Sequence, residues 1–526
     1  VTQQVSPEDL RGMIDDGGEL ALIDVREELI FSRLHLLLAR SAPLSRFELM
    51  FAQLVPRRAA RIVLCDDADG LADRAAAILA RNGYTDVRIL AGGVTAWDAA
   101  GFELFSGVNV PSKAFGEYVE HRNGTPSIAA AELETLIRTR ADIVVLDSRP
   151  FDEYARVSIP TATNVPGAEL VLRARDIAPS PNTMVVVNCA GRTRSIIGAQ
   201  SLINAGIPNK VVALRNGTMG WSLAGFACDS GQDRRAPDAS PPMLEWARNA
   251  AQRVAQNFGV ARIEGATLDA WRKDAGRTVY VFDVRDPAEY EAGHISGAIS
   301  APGGQLVQAT DQYVGALGAR IVLVDDTEVR AAMTASWLRQ MGFADVFIFA
   351  ETGAETGRPK APTLDSGVPS QAVGVDSAAL QDLSSRNGAT VIDLSLSRNY
   401  LAGHIPGAWF AIRTRLVHAL KKIPLNATLV LTSEDGALAH LAVREAEALT
   451  DRPVCFLDGG NAAWRAGGHS FSAEAKMADE AVDQWRKPYE RSGDAKAAMQ
   501  EYLAWETDLL PRIERDGSLK FFSSGG

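Results

Sequence analysis

The chain has 526 residues, 46% hydrophobic and 23% charged, the balance of a globular protein with room for three or four domains. Its formal charge of -11 argues against a nucleic-acid or anionic-membrane surface acting through bulk charge, and no run of about 18 apolar residues is present to span a membrane. Four cysteines, Cys65, Cys189, Cys228 and Cys455, lie far apart without C-x-x-C or Cys/His spacing, which argues against a disulfide framework or structural zinc and fits a reducing, cytoplasmic compartment. The first eleven residues are polar and carry no apolar signal-peptide core.

In chain order, an apolar strand ending in Asp occurs four times, at Asp24, Asp147, Asp283 and Asp393. About eleven residues after it comes a shared segment, Gly293-His294-Ile-Ser-Gly-Ala298 in the third copy and Gly403-His404-Ile-Pro-Gly-Ala408 in the fourth. The second copy has Ser158 where these have His, and the first keeps His35 alone. Three copies close with a glycine turn and Trp97, Trp221 or Trp464; the third reads 353–357 without Trp. Asp24 and Asp147 are 123 positions apart, as are Gly83 and Gly206; Asp147 and Asp283 are 136 apart, as are Gly206 and Gly342. A register kept at several landmarks means four homologous units.

Copy two shows the unit's pattern. Runs at 142–146, 183–188 and 211–214 read as buried strands, and 195–204 has helical spacing that stops at Gly206. Strands alternating with helices imply a parallel sheet covered on both faces. The fold class is α/β: four tandem domains, each a small parallel sheet flanked by helices, plus a helical linker and a helical C-terminal extension. The boundaries read 1–108, 109–230, 231–262 for the linker, 263–368, 369–471 and 472–526 for the extension. The linker carries an amphipathic helix at about 243–258, and the extension reads as two or three helices. The linker divides the copies into two pairs, one with two and three with four.

One segment is chemically loud. The strand before Cys189 runs into Cys189-Ala190-Gly191-Arg192-Thr193-Arg194-Ser195, and a helix follows. Such a cysteine stands at the carboxyl edge of a parallel sheet, where α/β proteins bind ligands. The loop closes onto a helix N-terminus, whose free N–H groups and dipole favour an anion. Arg192 and Arg194 add positive charge and favour the reactive thiolate. Gly191 lets the backbone curl around the sulfur without a Cβ clash.

The Asp-x-Arg strand ends, the G-H-I-x-G-A segments, the loop beginning at Cys189 and the glycine–Trp ends, in four registered copies, resemble the rhodanese family of sulfurtransferases. The resemblance covers roughly 5–230 and 262–470 and extends to bacterial thiosulfate sulfurtransferases. It implies that the Cys189 thiolate takes the outer sulfur of thiosulfate, releases sulfite, and passes the sulfur from a persulfide to cyanide or a thiol. It further implies that amides from Ala190 to Ser195 hold the persulfide and that Arg192 and Arg194 attract thiosulfate. The hydroxyls of Thr193 and Ser195 would donate to the same anion. The partners implied are a small-molecule sulfur donor and a thiophilic acceptor, with no nucleic acid, membrane, metal or organic cofactor. An arginine that helps bind thiosulfate in some two-domain rhodaneses has no counterpart near Glu153, and Ser158 replaces the usual His.

Repeat offsets put Asp66, Asp325 and Ser433 at the position of Cys189 in the other copies. One active site and three structural or regulatory copies are therefore expected, and the two aspartates would repel an anion. Cys65 aligns with Asn188 and faces the opposite side. Cys65, Cys228 and Cys455 read as structural thiols, with a resolving role for Cys228 as the lesser alternative. His294 and His404 read as turn residues, and Asp147 with Arg149 as an ion pair at the sheet end. Glu153 reads as an exposed helical residue or a partner of Arg149, and the three tryptophans as core anchors. Cysteine phosphatases need H-C-x5-R; here Asn188 precedes the cysteine and Ser195 stands where that arginine belongs. A different donor, mercaptopyruvate or a persulfide, and a largely non-catalytic scaffold or sulfur-relay partner are the alternatives; the basic loop favours doubly charged thiosulfate. The sequence does not encode the oligomeric state visibly.

Overall fold

The computed structural model describes residues 2–367, 372–491 and 493–523. The expected boundary between copies three and four, at 368/369, lies outside the described residues. Four sheets recur with one order: the first, fifth, fourth, second and third strands of each copy lie side by side. In copy two these are Ser127–Ile128, Val211–Leu214, Met184–Asn188, Ile143–Asp147 and Thr163–Asn164, all in parallel register. The central strand is a valine run, and Val185, Val186 and Val187 are wholly buried. β-branched residues suit a pleated strand covered on both faces, and each such burial contributes roughly 1.5–3 kcal/mol.

The Asp that ends each second strand is a buried acceptor. Asp147 takes Nε of Arg149 at 2.9 Å and its Nη2 at 2.6 Å, and Asp24–Arg26 and Asp283–Arg285 repeat the pair. Copy four has no arginine there; the Ser395 N–H and the Asn461 amide, both at 2.9 Å, hold Asp393 instead. His294 and His404 are buried in turns, stacked on Tyr290 and Tyr400 at 4.0 and 3.9 Å, with Nδ1 facing the tyrosine carbonyl. Trp97, Trp221 and Trp464 are 3%, 3% and 1% exposed, and each indole N–H donates to a backbone carbonyl. They anchor the core.

The copies do not pair in chain order. One compact unit holds copies one and four; the other holds copies two and three, the linker, and the chain from 486 onward. The linker helix Pro241–Asn257 explains the second grouping. It starts with Pro in its first turn, which suits a helix start. Its small-residue face (Ala247, Ala250, Ala251) and Val254 are buried, against Leu170–Ile177 of copy two and Val329–Gln340 of copy three. It joins these copies instead of separating them. In the first unit, Arg413 of copy four makes two bonds of 2.8 and 2.9 Å to Glu48 of copy one.

The extension also differs from the expected two or three helices. It gives an edge strand, Lys476–Met477, to the sheet of copy four, then a short turn at Pro488–Glu490 and one helix, Ala495–Asp516. Pro488 cannot continue a helix begun upstream, and Asp494 caps the new one by accepting from the Lys496 and Ala497 N–H groups. No helix among the described residues is long and apolar enough to cross a membrane.

Candidate active site

Cys189 follows the central strand Met184–Asn188, and the helix Thr193–Ala205 starts four residues later. The residue is 2% exposed. Its thiol donates to Ser195 Oγ at 3.5 Å, and that hydroxyl donates to the Arg192 carbonyl at 2.7 Å. The loop is clamped from behind: the Thr218 and Met219 N–H groups donate to the carbonyls of Cys189 and Ala190 at 2.8 and 2.9 Å. Gly217 makes that approach possible. Its φ is +53°, and a Cβ there would collide with the Cys189 carbonyl and stand 2.7 Å from Gly191 O. Gly191 itself does not have a positive φ. A Cβ there would meet Met219 Cε at 2.9 Å and Glu506 Oε2 at 3.1 Å, both ends of side chains that would have to shift.

In the other three copies the side chain at this position is held by the loop that follows it. Asp66 accepts from the N–H groups of Ala68 and Ala72 at 2.9 and 3.0 Å. Asp325 accepts from Thr327, Arg330 and Ala331 at 3.2, 2.8 and 3.2 Å, and from Arg330 Nε at 3.0 Å. Ser433 Oγ accepts from the Ala439 N–H at 3.2 Å. By the repeat offsets these donors correspond to Gly191, Arg194 and Ser195. The aspartates, expected to repel an anion, place their own carboxyl groups in their loops. Cys65 is buried and donates to the Ile23 carbonyl at 3.5 Å, and burial pushes its thiol well up. Cys228 lies 3.6 Å from Ser222 Oγ beside the core of copy two.

The side chains of the loop are committed elsewhere. Arg192 makes a fork of 2.6 and 2.7 Å to Glu117, pairs with Glu120, and reaches Asn216 at 3.1 Å. Arg194 pairs with Glu153 at 2.9 Å and donates to Gln305 at 3.1 Å. Thr193 Oγ1 donates to Glu506 at 3.4 Å. Both arginines and both hydroxyls, expected as direct anion ligands, thus hold partners within the protein. Glu153 is the partner of Arg194, not of Arg149. Burial alone would raise its pKa, but Arg194 and Lys487 hold it well below the usual range.

The C-terminal segment packs on this loop. Glu506, wholly buried, takes the Lys113 ammonium at 3.0 Å and the Tyr502 hydroxyl at 3.2 Å on Oε1. Lys487 Nζ lies 3.2 Å from Glu153 Oε1.

A family model, that of the rhodanese-like domain, matches residues 6–100, 129–224, 266–352 and 376–467. The chain belongs to the rhodanese family. A solved thiosulfate sulfurtransferase of Pseudomonas aeruginosa is 47% identical, with 99% of this chain and 100% of that one covered and a TM-score of 0.96. An HTH-type transcriptional regulator of Mycobacterium tuberculosis is 31% identical over 109 residues, 20% of this chain. The chain spans about half the length, 47%, of that curated relative.

Several residues around this rhodanese loop escape sequence reasoning. Glu117, Glu120 and Lys113 sit on the helix Val110–Asn123, outside the repeating motifs, and Lys487 and Glu506 on the extension. One pair was within reach. Glu153 and Glu289 are 136 positions apart, as are Arg194 and Arg330, and Glu289 pairs with Arg330 at 2.6 Å as Glu153 does with Arg194.

Proposed function

We propose that the chain is a thiosulfate sulfurtransferase that carries sulfur on Cys189, in domain 109–230 of the boundaries read from the sequence. The observation that carries this reading is the loop: three copies fill it with a carboxylate or hydroxyl held by inward amides, and copy two offers a thiol. The likeness over nearly the whole chain to the Pseudomonas aeruginosa thiosulfate sulfurtransferase supports thiosulfate as donor and a thiophilic molecule as acceptor. Four cysteines without disulfides support a reducing, cytoplasmic setting.

In this reading the Cys189 thiolate attacks the outer sulfur of thiosulfate. The S–S bond of thiosulfate breaks, and its electron pair leaves with sulfite. The persulfide keeps one negative charge, received by N–H groups between Ala190 and Ser195, with those of Gly191, Arg194 and Ser195 matching the donors around Asp325. Cyanide or a thiolate then attacks the outer sulfur, the enzyme's S–S bond breaks, and the thiolate returns. Substrate and enzyme supply every atom and electron. Arg192 and Thr193 brace the loop, and Arg194 adds its field to its N–H.

Thiocyanate formation from thiosulfate and cyanide tests the reading. Cys189→Ser should lower the rate by a factor of about 1,000 or more, while Cys65→Ser should leave it within about twofold. Full activity in Cys189→Ser would overturn it.

A further inference from the structure

The loop arginines leave little positive charge to spare. Arg192 is taken up by Glu117 and Glu120, and the Arg194 charge is shared with Glu153. A dianionic donor nevertheless has to approach an anionic sulfur, which calls for a cation that faces it.

Lys487 brings a further cation to the cluster around Arg194 from outside the repeat. It precedes the turn Pro488–Glu490, so it belongs to no sheet of the four copies. Its ammonium rests on Glu153 Oε1 at 3.2 Å, the carboxylate that also holds Arg194. The cluster Arg194–Glu153–Lys487 thus carries two cations and one anion. Arg194 also lies within the field of Cys189. The Lys487 side chain is 32% exposed against 11% for Arg194. An ammonium has three donors, and Glu153 occupies one, which leaves donors on a solvent-open side. Burial holds Lys487 below its usual pKa; Arg194 adds to this and the carboxylates of Glu153 and Glu490 oppose it.

We propose that Lys487 is a specificity-determining residue: an ammonium on the C-terminal extension that draws a doubly charged sulfur donor to Cys189. The proposal rests on Cys189 as the sulfur carrier. It places donor recognition on a part of the chain that the rhodanese-like domains do not contain.

The test uses the full-length chain with cyanide as acceptor and two donors, thiosulfate as a dianion and methanethiosulfonate as a monoanion. Lys487→Gln should raise KM for thiosulfate about tenfold and for methanethiosulfonate about threefold, and Lys487→Arg should bring the thiosulfate KM back to within about threefold of wild type. Raising the salt from about 0.05 to about 0.5 M should shrink the gap between the donors. An equal change for both donors, no change for either, or a folded Lys487→Arg that behaves like Lys487→Gln would overturn the proposal. Wild-type persulfide formation, read by intact mass, separates the two readings: its absence sinks Cys189 as carrier, while its presence beside an unselective Lys487→Gln sinks Lys487 alone.

Discussion

At the position of Cys189, copies one and three hold a carboxyl group with backbone N–H groups. Asp325 shows the arrangement filled: three N–H groups and one guanidinium on a buried carboxylate. Such a cradle depends on close backbone approach, so Gly217→Ala is a severe test. The added Cβ would stand 2.7 Å from Gly191 O at a φ of +53°; a destabilisation of at least ~2 kcal/mol and a rate loss of at least about 100-fold are expected in thermal melts and the thiocyanate assay. Glu117→Gln leaves the buried Arg192 without its fork and should cost ~3 kcal/mol in denaturant unfolding. The strand–loop–helix setting of Cys189 was legible because strand, cysteine, glycine, arginines and helix follow one another within a dozen residues. The real partners of Arg192 and Arg194 were not, because Glu117, Gln305 and Glu153 reach the loop from elements distant in sequence.

At the scale of elements, the strands were legible as apolar runs that stop at a buried Asp, and the turn histidines and tryptophans read correctly as packing residues. The extension is helical, as Ala, Glu and Lys favour by composition, but Pro488 and the Asp494 cap decide where its one long helix can run. A further element-scale device sits in copy one. Glu27 accepts from Ser45 at 3.0 Å and Thr414 at 3.3 Å, and burial, with Asp483 opposing Arg46, raises its pKa from 4.5 to about 7. A carboxyl raised on folding contributes stability that is complete below pH 4.5 and is lost as pH climbs through about 7. Glu27→Gln keeps the uncharged form at every pH. It should therefore raise the melting temperature at about pH 8, by roughly 2 kcal/mol of stability, and leave it nearly unchanged at about pH 4; an equal shift at both would contradict the assignment.

Over the whole molecule, four copies of one fold carry a single thiol at the loop position, beside Asp66, Asp325 and Ser433. Offsets of 123 and 136 residues made the copies and the missing nucleophiles readable, because homologous positions keep their register. Which copies share a compact unit was not readable. That depends on a face of small residues on the linker helix and on pairs such as Arg413–Glu48, whose partners lie 365 positions apart. The copies without a thiol should carry no sulfur, so the protein loads one sulfur atom per chain. Intact-protein mass after brief exposure to thiosulfate tests this most directly. One increment of about 32 Da, removed by cyanide and absent from Cys189→Ala, is the expected result. An increment that persists in Cys189→Ala, or none with thiosulfate, mercaptopyruvate or a low-molecular-weight persulfide, would contradict Cys189 as the sulfur carrier.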